Sequence, residues 1–190
     1  MKVLAIDTVT EMCSAALYVD GETIERTQLA VNQHSTLILS MVDALLAEAA
    51  LTLSDLDLIV NDVGPGSFTG IRIGLGVAQG LAYGADLPLL GVDALTTLAS
   101  AGAQQAGGDD LLAMIDARMK QIYWAHYSQN EDGLTLNGEL HLSHPDALTG
   151  FSTPLFVLGS GWDSYAGQLS NELQISGHAG QQFPLARHGL

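Results

Sequence analysis

The residues from Gly64 to Gly84 have a helical pattern that glycine interrupts repeatedly. The stretch is GPGSFTGIRIGLGVAQGLAYG, and the interrupting glycines are Gly70, Gly74, Gly76, Gly80 and Gly84. A glycine inside a helix costs about 1 kcal/mol relative to alanine, so five cost on the order of 5 kcal/mol. A soluble protein keeps such a helix where another backbone comes very close. At about 100° per residue the glycines share one continuous arc, which predicts close helix packing inside the domain.

The rest of this helix carries groups suited to a different contact. An apolar stripe next to the glycine arc consists of Ile71, Leu75, Ala78 and Ala82. Arg72 and Gln79 lie on the remaining face, flanked by Phe68 and Tyr83. We therefore expect this face to offer aromatic and hydrogen-bonding groups to another molecule.

The preceding helix, predicted over residues 34–50, has more apolar residues than one stripe requires. Its main apolar face consists of Ile38, Met41, Val42, Leu45 and Ala49. Leu39 and Leu46 are placed on the opposite side, beside Asp43. Because a surface helix needs only one apolar stripe, this surplus predicts a second buried face.

The charge of the chain limits its partners. The 190 residues include 21 acidic and 6 basic side chains, which gives a net charge of −15. Nucleic-acid binding needs clustered Lys and Arg, and the basic residues are scattered, so no direct nucleic-acid binding is expected. No apolar run is long enough for a membrane span, and Asp7 comes too early for a signal peptide. One cysteine, Cys13, fits a cytoplasmic protein without an internal disulfide.

The order of predicted elements indicates two α/β halves, at residues 1–103 and 104–190. In the first half, strands are predicted at 2–7, 13–19, 22–29, 57–63 and 87–92, and helices at 34–50, 68–84 and 93–103. Asp20 and Gly21 are predicted to form a tight hairpin turn between the second and third strands. A Gly- and Gln-rich stretch at 101–110 is predicted to be a linker. Beyond it we predict strands near 111–116, 121–128, 133–142 and 154–158, an NEDG turn at 130–133, a helical turn opened by Pro145, a short helix at 161–168 and a loose end after Gln174.

The segment AIDTVTEMCSAAL resembles the first phosphate loop of the actin-like ATPase superfamily. It places Asp7 at the end of the first strand, before Thr8 and Thr10. Val9 occupies the place of the usual glycine, which lets backbone amides approach a phosphate. Asp7, Thr8 and Thr10 are therefore candidate nucleotide contacts, and a structural role for Asp7 at the strand end is the alternative.

Three other motifs have mainly structural interpretations. GPGSFTG lacks the lysine of a P-loop, which favours a structural role for this turn. Ser67 is expected to cap the helix, and the free amides at the helix start could accept an anion. The histidines, including His141 and His144, match no common metal motif, so no metal site is predicted. IDARMKQIYWAHY is expected to form a hairpin with a half-buried aromatic face, or a polar contact site between the two halves.

Taken together, these segments resemble the bacterial TsaB family, also called YeaZ. AIDTVTEMCSAAL, QHSTLILSMVDALL, the stretch from DVGPGSFTGIRIG to ALTTLA, and IDARMKQIYWAHY match it in order and spacing over residues 1–128. The resemblance implies an α/β, actin-like (ribonuclease H-like) duplicated fold, with two subdomains of mixed sheets flanked by helices. It also implies a non-catalytic scaffold and activator of the complex that makes N6-threonylcarbamoyladenosine at position 37 of tRNA.

The resemblance further implies partners and a surface. The partners are a TsaD-like catalytic paralogue, a TsaE-like ATPase and, without TsaD, a second copy of the chain. The His-x-x-x-His metal pair of TsaD-like enzymes corresponds here to Ala94 and Leu98, so neither catalytic residues nor a cofactor are expected. The interface candidates are Leu39, Asp43, Leu46, Phe68, Arg72, Leu75, Gln79 and Tyr83. Family members usually continue beyond the length of this chain, so the second subdomain is expected to be truncated at its end.

Other function classes stay open at this level. An actin-like ATPase or phosphotransferase would use Asp7 as a metal-linked acid, but the missing loop glycine argues against it. A metallopeptidase is disfavoured because the sequence shows no cluster of metal ligands. A homodimeric regulator with its own ligand would self-associate in a way that TsaD could not displace.

Overall fold

The structure, a computed structural model, describes residues 1–107, 110–131, 133–180 and 182–190. It divides into two compact units. The first contains Met1–Thr97 together with Pro184–Leu190, and the second contains Leu98–Phe183. The boundary predicted after residue 103 lies inside the second unit, and the last residues of the chain pack with the first unit.

A five-stranded mixed sheet forms the centre of the first unit. Its strands are β1 (Lys2–Asp7), β2 (Met12–Val19), β3 (Glu22–Leu29), β4 (Leu58–Asp62) and β5 (Leu89–Val92). They lie in the order β3-β2-β1-β4-β5, with antiparallel pairing from β3 to β1 and parallel pairing from β1 to β5. The hairpin turn predicted at Asp20 and Gly21 is confirmed, and both residues have the positive φ of a tight two-residue turn.

Two helices pack on one face of this sheet and share its core. They are α1 (His34–Glu48) and α2 (Phe68–Ala85), close to the predicted ranges. Ile38 and Leu45 of α1 and Ala78 of α2 pack with Leu4, Ile6 and other apolar side chains of the sheet. The predicted cap at Ser67 is confirmed, because its hydroxyl accepts a hydrogen bond from the Gly70 amide at 3.2 Å.

The end of the chain covers the other face of the same sheet. A short 3₁₀ turn at Ala186–Gly189 places Ala186 against Val3 and Val60. The Ala186 amide donates a hydrogen bond to the buried Ser14 hydroxyl at 2.9 Å. Both faces of the central strands are therefore covered, which explains why β1 and β2 are almost continuously apolar.

The predicted linker is wrong over most of its length. Helix α3 runs from Ala94 to Ala106, so it continues through residues 101–106. The helix contains a glycine at position 102 because a side chain there would clash with Leu158. An added Cβ would lie 2.4 Å from a methyl group of that leucine. Gly107 follows with a positive φ, as is common after a helix end. The remaining linker positions include residues 108 and 109, which lie outside the described residues.

The sheet of the second unit repeats the strand order of the first. Its main strands are β6 (Asp110–Arg118), β7 (Gln121–Asn130), β8 (Gly133–Leu136), β10 (Leu155–Leu158) and β11 (Ile175–Ala179). Read from the other edge, their order is β8-β7-β6-β10-β11, with the same sequence of antiparallel and parallel pairings. This repetition confirms the α/β duplicated fold of the actin-like class, with two mixed sheets flanked by helices.

The second unit differs from the predictions in two places. The third predicted strand is split, because β8 is followed by a separate strand β9 (His141–Ser143), which also pairs with β7. The predicted loose end is wrong, since β11 completes the sheet after Gln174. The 3₁₀ turn at Pro145–Ala147 and the helix α4 (Ser160–Tyr165) are confirmed. The predicted NEDG turn includes residue 132, which lies outside the described residues.

None of the helices in the described ranges is both long and apolar enough to cross a bilayer.

Candidate protein interface

Two glycines of α2 allow the helix to lie directly on the turn after β1. A Cβ added at Gly70 would lie 2.0 Å from the Thr8 carbonyl oxygen, and one at Gly74 would lie 2.5 Å from the Thr8 hydroxyl. The Thr8 hydroxyl donates a hydrogen bond to the Gly70 carbonyl at 2.8 Å in this contact. Close packing inside the unit was predicted for the whole glycine arc, and it is confirmed at these two positions.

The other three glycines of α2 have no such role. A Cβ added at Gly76, Gly80 or Gly84 would meet no heavy atom within 4 Å. The prediction that they pack inside the domain is wrong, because they face open space. We call these three residues the open glycine face. Each lowers helix stability by about 1 kcal/mol relative to alanine, and no neighbour in the described residues explains that cost.

Large side chains stand exposed near the open glycine face and on α1. Tyr83 is 91% exposed and Phe68 is 71% exposed. The Arg72 guanidinium lies over the Phe68 ring, 3.3 Å from its centroid, and this cation–π contact holds the aromatic ring at the helix surface. Leu39 on α1 is 46% exposed. Gln79 and Asp43 are also exposed, and Leu75 is half-buried.

One of the predicted interface residues is not at the surface. Leu46 is only 7% exposed and belongs to the core formed by α1, α2 and the sheet. Its placement opposite the main apolar face is wrong, because Leu46 lies one helical turn after Val42 and so shares that residue's buried side. Leu39 lies on the outward side of the same helix and has the exposure that was expected of both residues.

A pair of buried carboxyl groups lies at the ends of β1 and β4. Ile6 pairs with Asn61 in the parallel register, so the next residues, Asp7 and Asp62, are neighbours. Each carboxyl group accepts one backbone hydrogen bond through Oδ1, from the Val9 amide at 3.0 Å and from the Gly64 amide at 2.8 Å. Each Oδ2 lacks a donor group within the described residues, and the two carboxyl groups lie within hydrogen-bonding range of each other.

Burial changes the protonation of this pair. It raises the pKa of Asp7 from 3.8 to about 7, against the opposing effect of the Val9 amide. Burial also raises the pKa of Asp62 to about 9, and the charge of Asp7 adds to that rise. Two buried carboxylates in contact cannot both ionise without a large cost, so the pair holds at least one shared proton near neutral pH. The shared proton gives the pair a hydrogen bond between its two carboxyl groups.

The three candidate nucleotide contacts are all buried. Asp7 takes part in the carboxyl pair, and Thr8 is bonded to α2. The Thr10 hydroxyl accepts a hydrogen bond from the Met12 amide at 3.3 Å. Val9, in the place of the loop glycine, is also fully buried, and its carbonyl accepts a hydrogen bond from the Ser67 amide. The turn after β1 is therefore occupied by contacts within the first unit.

The two positions expected to correspond to the metal ligands of TsaD-like enzymes are apolar and buried. Ala94 and Leu98 both have no exposed surface. Among the histidines, His34 lies at the start of α1, with Nε2 3.3 Å from the Met12 carbonyl. His141 stacks on Trp124 at 4.3 Å, and the Nδ1–H of His144 donates to the Lys120 carbonyl at 2.9 Å.

The turn between β6 and β7 has an unusual backbone. Arg118, Met119 and Lys120 have φ of +64°, +52° and +62°, so three consecutive residues other than glycine are left-handed. Each such residue costs roughly 1–2 kcal/mol. Asp116 stabilises the turn, because its carboxylate accepts hydrogen bonds from the Arg118 amide at 2.8 Å and from the Tyr165 hydroxyl at 3.0 Å. The predicted hairpin is confirmed, with Tyr123 and Trp124 of β7 half-buried and Tyr127 fully buried.

Some of these features escaped the sequence analysis. Asp62 follows an apolar strand as Asp7 does, and this similarity of DLIVND and KVLAID could have indicated that they are neighbours. The open glycine face and the left-handed turn have no comparable sign in the sequence, because both depend on contacts between distant elements.

Comparisons with known proteins place the chain among relatives of one family. The family model of TsaD, tRNA N6-adenosine threonylcarbamoyltransferase, matches residues 24–155. The chain is 40% identical over 173 residues to the tRNA threonylcarbamoyladenosine biosynthesis protein TsaB of Escherichia coli K12, covering 87% of this chain and 74% of that protein. It is 44% identical over 125 residues to the TsaB of Haemophilus influenzae, covering 66% of this chain and 53% of that protein. The solved structure of YeaZ from Pseudomonas aeruginosa has a TM-score of 0.89 and 33% identity, covering 98% of this chain and 87% of that one.

Proposed function

The chain belongs to the TsaB (YeaZ) family, and on that basis we propose that it is a non-catalytic scaffold and activator of a TsaD-type enzyme. The reaction served is the synthesis of N6-threonylcarbamoyladenosine at position 37 of tRNA. Curated relatives are named tRNA threonylcarbamoyladenosine biosynthesis proteins. The observation that carries the scaffold proposal is the open glycine face of α2, together with the exposed rings of Phe68 and Tyr83.

This surface has the physical properties of a helix-packing interface. Helices normally pack at 8–10 Å between their axes, and the side chains at the contact set that distance. Gly76, Gly80 and Gly84 remove those side chains along successive turns, so a partner helix can approach the backbone of α2. Exposed aromatic residues and arginine beside such a groove are typical of interface anchors. The interface candidates that remain after the correction of Leu46 are Leu39, Asp43, Phe68, Arg72, Leu75, Gln79 and Tyr83.

We propose a TsaD-like paralogue as the main occupant of this surface. A second copy of the chain would occupy it when that paralogue is absent, so the homodimer and the heterodimer would be mutually exclusive. A TsaE-like ATPase would join the heterodimer. The net charge of −15 disfavours direct tRNA binding, so the tRNA would be held by the partners.

A scaffold without its own chemistry is also consistent with the interior of the first unit. Asp7 and Asp62 share a proton and are fully enclosed, so neither offers an open carboxylate to a metal or phosphate. Ala94 and Leu98 carry no ligand atoms. The alternative function, an ATPase or phosphotransferase that uses Asp7, would require the turn after β1 to leave its contacts with α2.

The experiment that tests this proposal is size-exclusion chromatography with multi-angle light scattering, on the chain alone and mixed with its cognate TsaD. We expect a self-associated species alone and a one-to-one heterodimer in the mixture. Gly80→Leu fills the open glycine face with a better helix former, so the variant should fold at least as well and lose both associations. Gln104→Leu adds the same side chain at an exposed position of α3 and should leave both unchanged.

Two outcomes would contradict the proposal. One is a Gly80→Leu variant that still forms the heterodimer with unchanged affinity, because the open glycine face would then not be the interface. The other is a chain that forms no complex with TsaD at any concentration tested and instead hydrolyses ATP by itself. That result would favour the enzyme alternative.

A further inference from the structure

The second unit contains a cavity that the proposed function does not use. It has a volume of about 490 Å³ and is lined by Lys120, His144, Pro145, Asp146 and Gln168. Sites for small molecules usually measure about 300–1,000 Å³, so the cavity has room for a metabolite. Its lining residues come from the left-handed turn after β6, the 3₁₀ turn at Pro145–Ala147 and the 3₁₀ turn at Ala166–Gln168.

The cavity presents one positive and one negative group without partners. Neither Lys120 nor Asp146 forms an ion pair or a side-chain hydrogen bond with any other described residue. An ion pair would require an approach of 4.0 Å or less, so the ammonium and the carboxylate lie further apart than that. Two opposite charges that line the same space and do not neutralise each other are available to a ligand that carries both signs.

Backbone contacts fix the two segments that carry these charges. Lys120 is the third left-handed residue of its turn, and its carbonyl accepts the hydrogen bond from His144 Nδ1–H at 2.9 Å. This bond ties the turn to the segment that carries Asp146. Pro145 is buried and starts the 3₁₀ turn that contains Asp146, which restricts the position of the carboxylate. A strained turn that surrounding contacts fix in place is a common feature of binding sites.

The balance of charge selects the class of ligand. A nucleotide or another polyanion would meet the Asp146 carboxylate and the field of a chain with a net charge of −15. A zwitterion has no net charge to repel, and it can pair with both groups. We propose that this cavity binds a small zwitterion of the α-amino acid class. Its carboxylate would pair with Lys120 and its ammonium with Asp146, and the Gln168 amide would add a hydrogen bond beside the apolar wall of Pro145.

A titration followed by ¹H–¹⁵N NMR tests this assignment on the full chain. The common L-amino acids are added singly to the protein. We expect at least one to give saturable shifts that include the amides of Lys120, Asp146 and Gln168. Its amide, which keeps only the positive charge, and its deaminated acid, which keeps only the negative charge, should each bind at least about tenfold more weakly, since each loses one charged hydrogen bond.

Matched variants separate a specific site from a general charge effect. Lys120→Gln and Asp146→Asn should each weaken binding by about tenfold or more. Lys2→Gln removes the other lysine of the chain, which lies in the first unit, and should have no effect. The spectra of the unbound variants show whether each has kept its fold, and Asp146→Asn leaves the strained turn itself unchanged.

Three results would overturn the assignment. In the first, no amino acid gives a saturable shift at these amides. In the second, the single-charge analogues bind as well as the zwitterion. In the third, ADP or inorganic pyrophosphate binds at the cavity more tightly than any amino acid, which would make it an anion site. The titration needs no partner protein, so its result is independent of the test of the scaffold proposal.

Discussion

The two kinds of glycine in α2 predict opposite effects of the same substitution. At Gly80 an added Cβ meets nothing within 4 Å, so Gly80→Ala should raise the free energy of unfolding by about 1 kcal/mol. At Gly70 the Cβ would lie 2.0 Å from the Thr8 carbonyl oxygen, whereas an ordinary contact begins at 3.4 Å. The helix or the turn would have to move by more than an ångström, and both are backbone. Overpacking of this kind costs about 1–3 kcal/mol, so Gly70→Ala should lower stability despite its better helix propensity.

Urea unfolding followed by far-UV circular dichroism measures this contrast. The protein is kept at low concentration, because self-association would add to the apparent stability. The free energies of unfolding of the two variants should differ by about 2–3 kcal/mol, which separates their midpoints by about 1 M urea or more. Gly76→Ala is the matched partner of Gly80→Ala, and Gly74→Ala is the matched partner of Gly70→Ala.

The reasoning would be refuted if Gly70→Ala and Gly80→Ala changed the free energy of unfolding in the same direction. If Gly70→Ala stabilised the chain as Gly80→Ala does, the approach of α2 to Thr8 would not be close. If Gly80→Ala destabilised the monomer, an intramolecular neighbour would have to lie against the open glycine face.

Three further predictions, each tested by substitution, check the first and second units separately. Burial raises the pKa of Asp7 and Asp62 above 3.8, so the folded state holds protons that the unfolded state releases. The stability this provides is fully present below about pH 4 and is lost as pH rises through about 7 for Asp7 and through about 9 for Asp62, by up to about 1.4 kcal/mol per pH unit for each proton. Asp62→Asn should flatten this slope in urea unfolding at several pH values, and the exposed-carboxylate control Glu22→Gln should not. Leu46→Asp should fail to give a folded circular dichroism spectrum, because it buries a charge, while the exposed Leu39→Asp should fold and weaken TsaD binding by about tenfold or more in a titration. Met119→Gly should raise the urea midpoint, by about 0.5–1 kcal/mol in free energy, because it relieves a left-handed residue.

The sequence predicts the first unit well because its signals are local. The apolar strand segments, the Asp20–Gly21 turn and the Ser67 cap each depend on residues close together in the sequence, and all three appear as expected. The carboxyl pair could be anticipated only in part. The sequence places Asp7 and Asp62 at strand ends, but their contact depends on the parallel register of β1 with β4.

The errors arise where a distant contact decides the outcome. The glycines of α2 look equivalent on a helical wheel, yet Thr8 lies against two of them and nothing lies against three. Residues 101–106 have a linker-like composition, but they continue α3. Gly102 fits that helix because Leu158 occupies the space a side chain would need. The composition of a segment shows which structures it can adopt. Only its packing against distant residues decides which of them it does adopt.

The division of α2 into two parts bears on how tightly it could bind. Gly70 and Gly74 let the first half of the helix lie on the turn after β1, where Thr8 donates a hydrogen bond to the Gly70 carbonyl. Ala78 and Ala82 pack the second half into the core. The open glycine face therefore belongs to a helix that is already ordered. Binding of a partner would require little further ordering of α2, so the loss of conformational entropy would be small. This rigidity offsets the weak helix propensity of Gly76, Gly80 and Gly84. For the same reason, Gly80→Leu tests the interface more sharply than a substitution that truncates an exposed side chain. It leaves the anchored half of the helix intact. It changes only the distance at which another backbone can pack against α2.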